Sequence, residues 1–296
     1  MVLKGLHFLL TYQCTQECDH CFVWSSPDYI ETMTLGQVRK LLNEAKKLGT
    51  VEWTWFEGGE PFLYYPVMIQ GTKEAKRLDF KVGVLSNAYW ATSLEDAIEW
   101  LSPLAELGIA SIGLSSDYYH GEDSMAERVK NGVLAANRLN IHVRIMATSK
   151  MPPKLEGLPG GASELMYRGR AAKKLLEGAV RKPWPEFNKC PHENLMAPER
   201  VHVDPLGYVH VCQGLSVGNA CKQPFSEIIQ SYDATSHPIL KWLAEGGPAA
   251  LVQRFDLPHK RSYADACHLC YEARLQLRSR FPEVFAPGQM YGEGLE

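Results

Sequence analysis

The sequence predicts an α/β protein: a mostly parallel sheet or (β/α) barrel in the first half, followed by a smaller hairpin-and-helix region. Three observations lead there. Short strand-like apolar runs alternate with segments of helical period from residue 6 to about 145. Composition is that of a packed chain, 45% hydrophobic and 22% charged, which excludes a disordered or fibrous one. Beyond a proline-rich stretch at 182–185 the pattern changes to two short strands around Asp204-Pro205-Leu206-Gly207, a type I turn sequence.

The elements follow in order. The first apolar run, 5–12, ends in a polar loop that carries cysteines. Thr34 and Gln37 form a capping box, Val38, Leu41, Leu42, Ala45 and Leu48 repeat at helical spacing, and Gly49 stands where a C-cap belongs. Next come a strand at 51–56, a helix at 66–78, a strand at 80–85 and a helix at 94–107 capped by Ser93. A strand at 110–115, a helix at 121–139 and a strand at 141–147 complete the regular part. Sites in such folds gather at the carboxyl ends of the strands. Pro152-Pro153, Pro159 and Gly160-Gly161 then leave little room for another crossover helix. A sixth strand is expected at 164–167, with a helix at 170–179. Lys182-Pro183-Trp184-Pro185 reads as a linker, dividing the chain into domains 1–182 and 183–296. The second holds strands 201–204 and 208–212 and helices near 224–231, 236–245, 247–254 and 263–281.

Thirty-one Lys and Arg against thirty-four Asp and Glu give a net charge of −3, which argues against a nucleic-acid partner held by general electrostatics. The basic stretch Arg168, Arg170, Lys173, Lys174, Arg181 and Lys182 is expected to be a solvated helix face. His202 and His210, alternating with valines, are expected on an exposed strand face. No apolar run approaches the ~20 residues needed to span a bilayer, and the start lacks a signal peptide's apolar core. The expectation is a cytoplasmic protein with no membrane partner, whose eight cysteines serve thiol chemistry rather than disulfides.

Cys14, Cys18 and Cys21 lie in the loop leaving the first strand. Three thiolates with no fourth nearby would leave one iron of a four-iron cluster open, as catalysis requires. A zinc site completed by His20 is the alternative. Cys-x3-Cys-x2-Cys in this position resembles the radical S-adenosylmethionine (radical SAM) superfamily. The resemblance covers about residues 5–150 and implies a partial (β/α)6 TIM-like barrel, a 4Fe–4S cluster on the three cysteines, and S-adenosylmethionine (SAM) bound at the open iron.

A second match, Glu57-Gly58-Gly59-Glu60-Pro61, ends the second strand. Two glycines admit close approach of a ligand, and a carboxylate beside them suits an ammonium. By resemblance Gly58, Gly59 and Glu60 grip the methionine amino group of SAM. In 141–147 the aliphatics alternate with Arg144, and the resemblance pairs Arg144 with Ser115 on the methionine carboxylate. A structural ion pair is the other reading of Arg144. Asn87 stands where relatives carry an Asn-Gly turn near substrate, and Gly169-Arg170-Ala171 matches a Gly-Arg-Ala of peptide-modifying relatives. Asp117, in Asp117-Tyr118-Tyr119-His120 after the fourth strand, is the candidate acid–base residue.

Cys190, Cys212, Cys267 and Cys270 form a second set. A thioredoxin-type pair lacks its βαβ context here, whereas a four-cysteine zinc site is chemically reasonable. The pattern Cys…Gly-x4-Cys…Cys-x2-Cys is similar to the Twitch subdomain, the half-sized version of the SPASM domain. That resemblance implies an auxiliary 4Fe–4S cluster on Cys190, Cys212, Cys267 and Cys270. Cys221 is left over, either a spare or a substitute for Cys190.

Together the resemblances imply reductive cleavage of SAM to a 5′-deoxyadenosyl radical, which abstracts a substrate hydrogen atom. An external one-electron donor of flavodoxin or ferredoxin type is implied as partner. The expected substrate is a peptide or protein side chain. One alternative is a small-molecule dehydrogenase, cyclase or epimerase; the other is a non-catalytic iron–sulfur or zinc redox protein.

Overall fold

The computed structural model describes residues 1–120 and 123–293. Its chain divides into two compact units, one of Lys4–Cys18 with Ser25–Leu165, the other of Met1–Leu3, Asp19–Trp24 and Met166–Glu296.

The unit containing residues 25–165 alternates strands and helices: β1 (Gly5–Thr11), α1 (Leu35–Leu48), β2 (Trp53–Gly58), α2 (Tyr65–Arg77), β3 (Lys81–Ser86), α3 (Leu94–Glu106), β4 (Ser111–Ser115), α4 (Asp123–Arg138), β5 (Val143–Thr148) and β6 (Gly160–Ser163). The six strands pair in parallel and in chain order. This is the parallel α/β arrangement that the alternation predicts and the partial TIM-like one that the resemblance implies. The first two positions of the predicted helix 121–139 lie outside the described residues.

The strands are buried on one face for the usual reason: Leu6, Phe8, Leu10, Phe56, Val82, Val84, Ile112, Leu114, Val143 and Ile145 alternate and are no more than 5% exposed. Val38, Leu42, Ala45, Met68, Leu101, Leu104, Val129 and Val133 supply the helical side of the core. Each large aliphatic so buried contributes about 1.5–3 kcal/mol. The helix ends are as the sequence dictates. Thr34 and Gln37 form the reciprocal capping box, Gly49 takes a left-handed φ of 71°, and Ser93 Oγ accepts the Asp96 N–H at 3.0 Å.

The sixth strand is a correction. It lies at β6, on the paired glycines that close the proline-rich stretch, and not at 164–167. A Cβ on Gly160 would fall 2.4 Å from the Ile145 carbonyl oxygen, so glycine is what lets this edge strand pair.

The other unit contains α5 (Ala171–Lys174), β7 (Lys182–Pro183), β8 (Arg200–Val203), β9 (Tyr208–Cys212), β10 (Leu215–Asn219), α6 (Phe225–Gln230), α7 (Leu240–Phe255), β11 (Ser262–Tyr263) and α8 (Ala266–Leu277). Strands β8, β9 and β10 form an antiparallel meander, and β7 pairs with β11. The helix expected at 170–179 stops at Leu175, whose φ of −113° is not helical. The helices expected at 236–245 and 247–254 meet within α7 at Gly246 and Gly247, both of non-helical geometry.

The expectation that His202 and His210 face solvent is overturned: they are 7% and 0% exposed. Asp204 explains the burial of His210. Its Oδ1 accepts the Leu206 and Tyr208 N–H groups at 3.0 and 2.9 Å, and its Oδ2 lies 3.0 Å from His210 Nε2. The turn residue therefore also supplies a buried partner for the strand imidazole.

Candidate active site

At the carboxyl ends of β1 and β2 the Gly-Gly-Glu segment lies against the cysteine loop. Gly59 N–H donates to the Thr11 carbonyl at 2.7 Å and Glu60 N–H to the Gln13 carbonyl at 2.8 Å. A Cβ on Gly59 would fall 2.0 Å from Gln13 O, and one on Gly58, at φ 124°, would fall 2.6 Å from Thr11 O. The glycines thus admit the backbone of the loop that carries Cys14, a close approach within the chain itself.

Glu60 is fully buried. Its Oε1 accepts from Phe62 N–H at 3.1 Å and Ser86 Oγ at 2.9 Å, and its Oε2 accepts from Asn87 N–H at 2.8 Å. Three donors for about four lone-pair positions leave one on Oε2 for a further donor. Burial pushes its pKa up to about 7, against the lowering effect of the Asn87, Phe62 and Ser86 donors. Asn87 extends the network, its amide nitrogen lying 3.0 Å from Thr15 Oγ1 and 3.6 Å from Cys14 Sγ. The next residue, Ala88, has a φ of 60°, the left-handed region where an Asn-Gly turn would place its glycine.

On the neighbouring strands the register sets Gly113 opposite Arg144 and Ser115 opposite Met146, so these four share one face. Ser115 is half-buried and Arg144 exposed. Asp117 is 3% exposed. Its carboxylate accepts from Tyr119 N–H at 2.9 Å and Thr148 N–H at 2.9 Å and lies 2.7 Å from His120 Nδ1. Gln16, between Cys14 and Cys18, donates from Nε2 to the His120 carbonyl at 3.1 Å, while Cys18 Sγ lies 3.4 Å from Gln16 Oε1. The loop after β4 is thereby tied to the cysteine loop.

In the other unit Cys21 is held by the segment that contains the Gly-Arg-Ala match. Arg170 N–H donates to the Cys21 carbonyl at 2.9 Å. Gly169, at φ 59°, lies so close that a Cβ would meet that oxygen at 2.6 Å. Arg168 and Arg170, expected in a solvated face, are instead 9% and 0% exposed. The Arg168 guanidinium stacks over Phe22 at 5.2 Å and donates from Nη1 to Cys212 Sγ at 3.8 Å. The Arg170 guanidinium stacks over Trp24 at 5.3 Å.

Cys212 and Cys270 each lie within electrostatic reach of Cys190 and Cys267, and of one another. Burial pushes the Cys267 thiol up strongly and that of Cys270 up to about 12, and charge on neighbouring sulfurs adds to both. Burial alone would lower the Arg274 guanidinium, but Tyr291, Cys270, Cys212 and Cys267 around it raise it further above its ordinary range. Arg274 Nη1 donates to the Gln213 carbonyl at 2.8 Å. The buried Nε atoms of Arg168 and Arg274 have no hydrogen-bond partner among the described residues. Orphaned cationic donors beside four cysteines suit an anionic thiolate cluster. Cys221, by contrast, is exposed. No disulfide joins any cysteine among the described residues.

Residues 8–148 match the model of the Radical SAM superfamily. This stretch is similar to a radical SAM domain. Such a domain implies a 4Fe–4S cluster and SAM, and the Cys14 loop held against Gly59, Glu60 and Asn87 provides a fitting donor set. The chain is 28% identical over 131 residues to the putative peptide biosynthesis protein YydG of Bacillus subtilis (strain 168), covering 44% of this chain. It is 31% identical over 116 residues to the tungsten-containing aldehyde ferredoxin oxidoreductase cofactor-modifying protein of Pyrococcus furiosus, covering 39% of this chain. These matches span 41% and 31% of the two relatives' lengths. In fold, the chain is similar to BtrN, solved in complex with AdoMet and 2-DOIA, with a TM-score of 0.53 and 15% identity over 83% of this chain and 89% of that one.

Sequence reasoning missed four features of the candidate site. Arg274 is one turn beyond Cys270 on α8, a spacing that puts it on the cysteine face. Asp265 caps α8, accepting the His268 N–H at 2.7 Å, and an aspartate just before Ala266-Cys267 is a legible N-cap signal. The Asp117–His120 pairing shows only as an i, i+3 spacing. Nothing local in the sequence signals the burial of Arg168.

Proposed function

We propose that this chain is a radical SAM enzyme that holds one 4Fe–4S cluster on Cys14, Cys18 and Cys21 and an auxiliary 4Fe–4S cluster on Cys190, Cys212, Cys267 and Cys270. The observation that carries the reading is the Gly-Gly-Glu segment bonded to the cysteine loop within the region that matches the superfamily. When bound and reduced by one electron, cluster and cofactor supply homolytic cleavage of SAM and a 5′-deoxyadenosyl radical that takes a hydrogen atom from substrate.

The chain's own residues bind and orient. The remaining lone pair of Glu60 receives the methionine ammonium beside Gly58 and Gly59, and Ser115 and Arg144 hold the carboxylate. Asp117 fixes His120, so a proton at this loop moves through the imidazole while the carboxylate stabilises its charge. The four auxiliary cysteines all lie beyond residue 183, in the compact unit that contains residues 166–296. The expected substrate is a peptide or protein side chain, supported by the likeness to a putative peptide biosynthesis protein. The electron donor is an external flavodoxin- or ferredoxin-like protein. Cysteines without disulfides fit a cytoplasmic location, and no helix among the described residues is long and apolar enough to cross a membrane.

Anaerobic purification with iron and sulfide counts, followed by incubation with SAM and dithionite, tests this. Two four-iron clusters per chain and 5′-deoxyadenosine are expected. Stoichiometric zinc with no SAM cleavage would overturn the proposal. Turnover of a small molecule in the absence of any peptide would overturn the substrate assignment alone.

A further inference from the structure

Arg168 has a placement that the proposed SAM chemistry does not use. It lies in a basic stretch, yet it is buried, and its neighbour Gly169 is pressed against the Cys21 carbonyl in a conformation that favours glycine. Two contacts and one orphaned donor define it. Nη1 donates to Cys212 Sγ at 3.8 Å, the guanidinium carbon sits over the Phe22 ring at 5.2 Å from its centroid, and Nε is buried without a hydrogen-bond partner among the described residues. One planar cation thus touches a cysteine of the C-terminal set and the ring that follows the last cysteine of the N-terminal set. Arg274 is a second buried guanidinium beside the C-terminal set, but its hydrogen-bond and ring partners are the Gln213 carbonyl and Tyr291. It has no hydrogen bond or ring contact to the 19–24 segment among the described residues.

We infer that Arg168 is a positioning residue that sets the reduction potential of the auxiliary cluster and ties that potential to the loop carrying Cys21. The inference rests on the auxiliary-cluster reading given above. The physical basis is direct. Potentials of thiolate-held clusters depend on net charge and on hydrogen bonds to the sulfurs. Adding one electron makes the sulfurs more negative, so a cation bonded to Cys212 stabilises the reduced form more than the oxidised one. The Phe22 ring lies under the guanidinium that donates to Cys212, so a change at Phe22 is transmitted to that sulfur. Arginine suits both tasks, since its flat fork can stack and donate at once, which an ammonium cannot.

The test is a dithionite-poised redox titration of the iron-loaded holoenzyme, followed by EPR. The signal lost in the Cys14/Cys18/Cys21→Ala variant identifies the N-terminal cluster, and the remaining signal reports the auxiliary one. Arg168→Gln is expected to lower the equilibrium constant for auxiliary reduction about tenfold, a fall of about 59 mV for one electron. Arg168→Lys, which keeps the cation and protects against loss of fold, is expected to give an intermediate fall. Phe22→Leu is expected to lower the auxiliary potential by a smaller amount with iron content unchanged. An auxiliary potential unmoved in both Arg168 variants, with its four irons retained, would overturn the inference. A potential that moves in Arg168→Gln but not in Phe22→Leu would overturn the coupling to the Cys21 loop. A wild-type chain with only the N-terminal cluster would overturn the auxiliary reading and this inference with it.

Discussion

Gly59→Ala is expected to separate the cysteine loop from the end of β2. The added Cβ would lie 2.0 Å from Gln13 O, 2.6 Å from Gln13 C and 3.0 Å from Tyr12 C. All three are main-chain atoms, so no rotamer change relieves the overlap and the two segments must part. Parting them breaks the Gly59 to Thr11 and Glu60 to Gln13 hydrogen bonds, of 2.7 and 2.8 Å. Each contributes about 1 kcal/mol net, and overpacking a tight contact costs a further ~1–3 kcal/mol. The sum is about 4 kcal/mol, which for a unit of this size lowers Tm by roughly 8–16 °C. Gly161→Ala is the control, because a Cβ there meets nothing within 4 Å. Its effect is expected to stay within about 0.5 kcal/mol. Anaerobic thermal melts followed by circular dichroism, with an iron count on each protein, measure both consequences. The Gly59 variant should lose N-terminal iron as well as stability. Wild-type Tm and wild-type iron in Gly59→Ala would refute the argument that these glycines are required by the loop's approach.

Other consequences follow from the same structure. Glu60, raised by burial from 4.5 to about 7, binds its proton more tightly folded than unfolded, so the stability it contributes is full below pH 4.5 and is lost as pH rises through 7. Urea denaturation of the apo-protein at pH 5 and pH 8 should show a fall on the order of 3 kcal/mol from this group; an equal pH dependence in Glu60→Gln would rule it out. Asp204→Ala removes the acceptor for Leu206 N–H, Tyr208 N–H and His210, and should destabilise the β8–β9 hairpin by about 2–4 kcal/mol, read as a lower denaturation midpoint. Cys190→Ser should remove auxiliary iron while Cys221→Ser leaves it, and the reverse result in an iron assay would exchange the two residues' roles.

The regular half of the molecule was legible because each of its signals is local. Alternating aliphatics, the Thr34 and Ser93 caps and Gly49 all depend on residues within one or two turns. The cysteine spacing and the Gly-Gly-Glu segment were legible for the same reason. What escaped depends on distant partners. Gly160-Gly161 carries no strand signal until Ile145 is set beside it. Arg168 and Arg170 read as solvated until Phe22 and Trp24 lie beneath them. His210 reads as exposed until Asp204 reaches back to it. Buried charge is the recurring theme, since a sequence rule that places cations outside has no knowledge of an aromatic face or a thiolate across the chain.

The segment Asp19–Trp24 has a consequence for how the gene can be cut. It belongs with residues 166 onward: Trp24 Nε1 donates to Tyr271 OH at 3.2 Å, and Gln289 Nε2 donates to the Val23 and Trp24 carbonyls at 3.1 and 3.2 Å. A single break in the chain therefore cannot release either unit whole. A fragment ending at 165 would retain Cys14 and Cys18 among their native neighbours while stranding Cys21 on an unsupported strip. The C-terminal region is consequently no interchangeable cassette, because swapping it for a relative's requires carrying Met1–Leu3 and Asp19–Trp24 along with it.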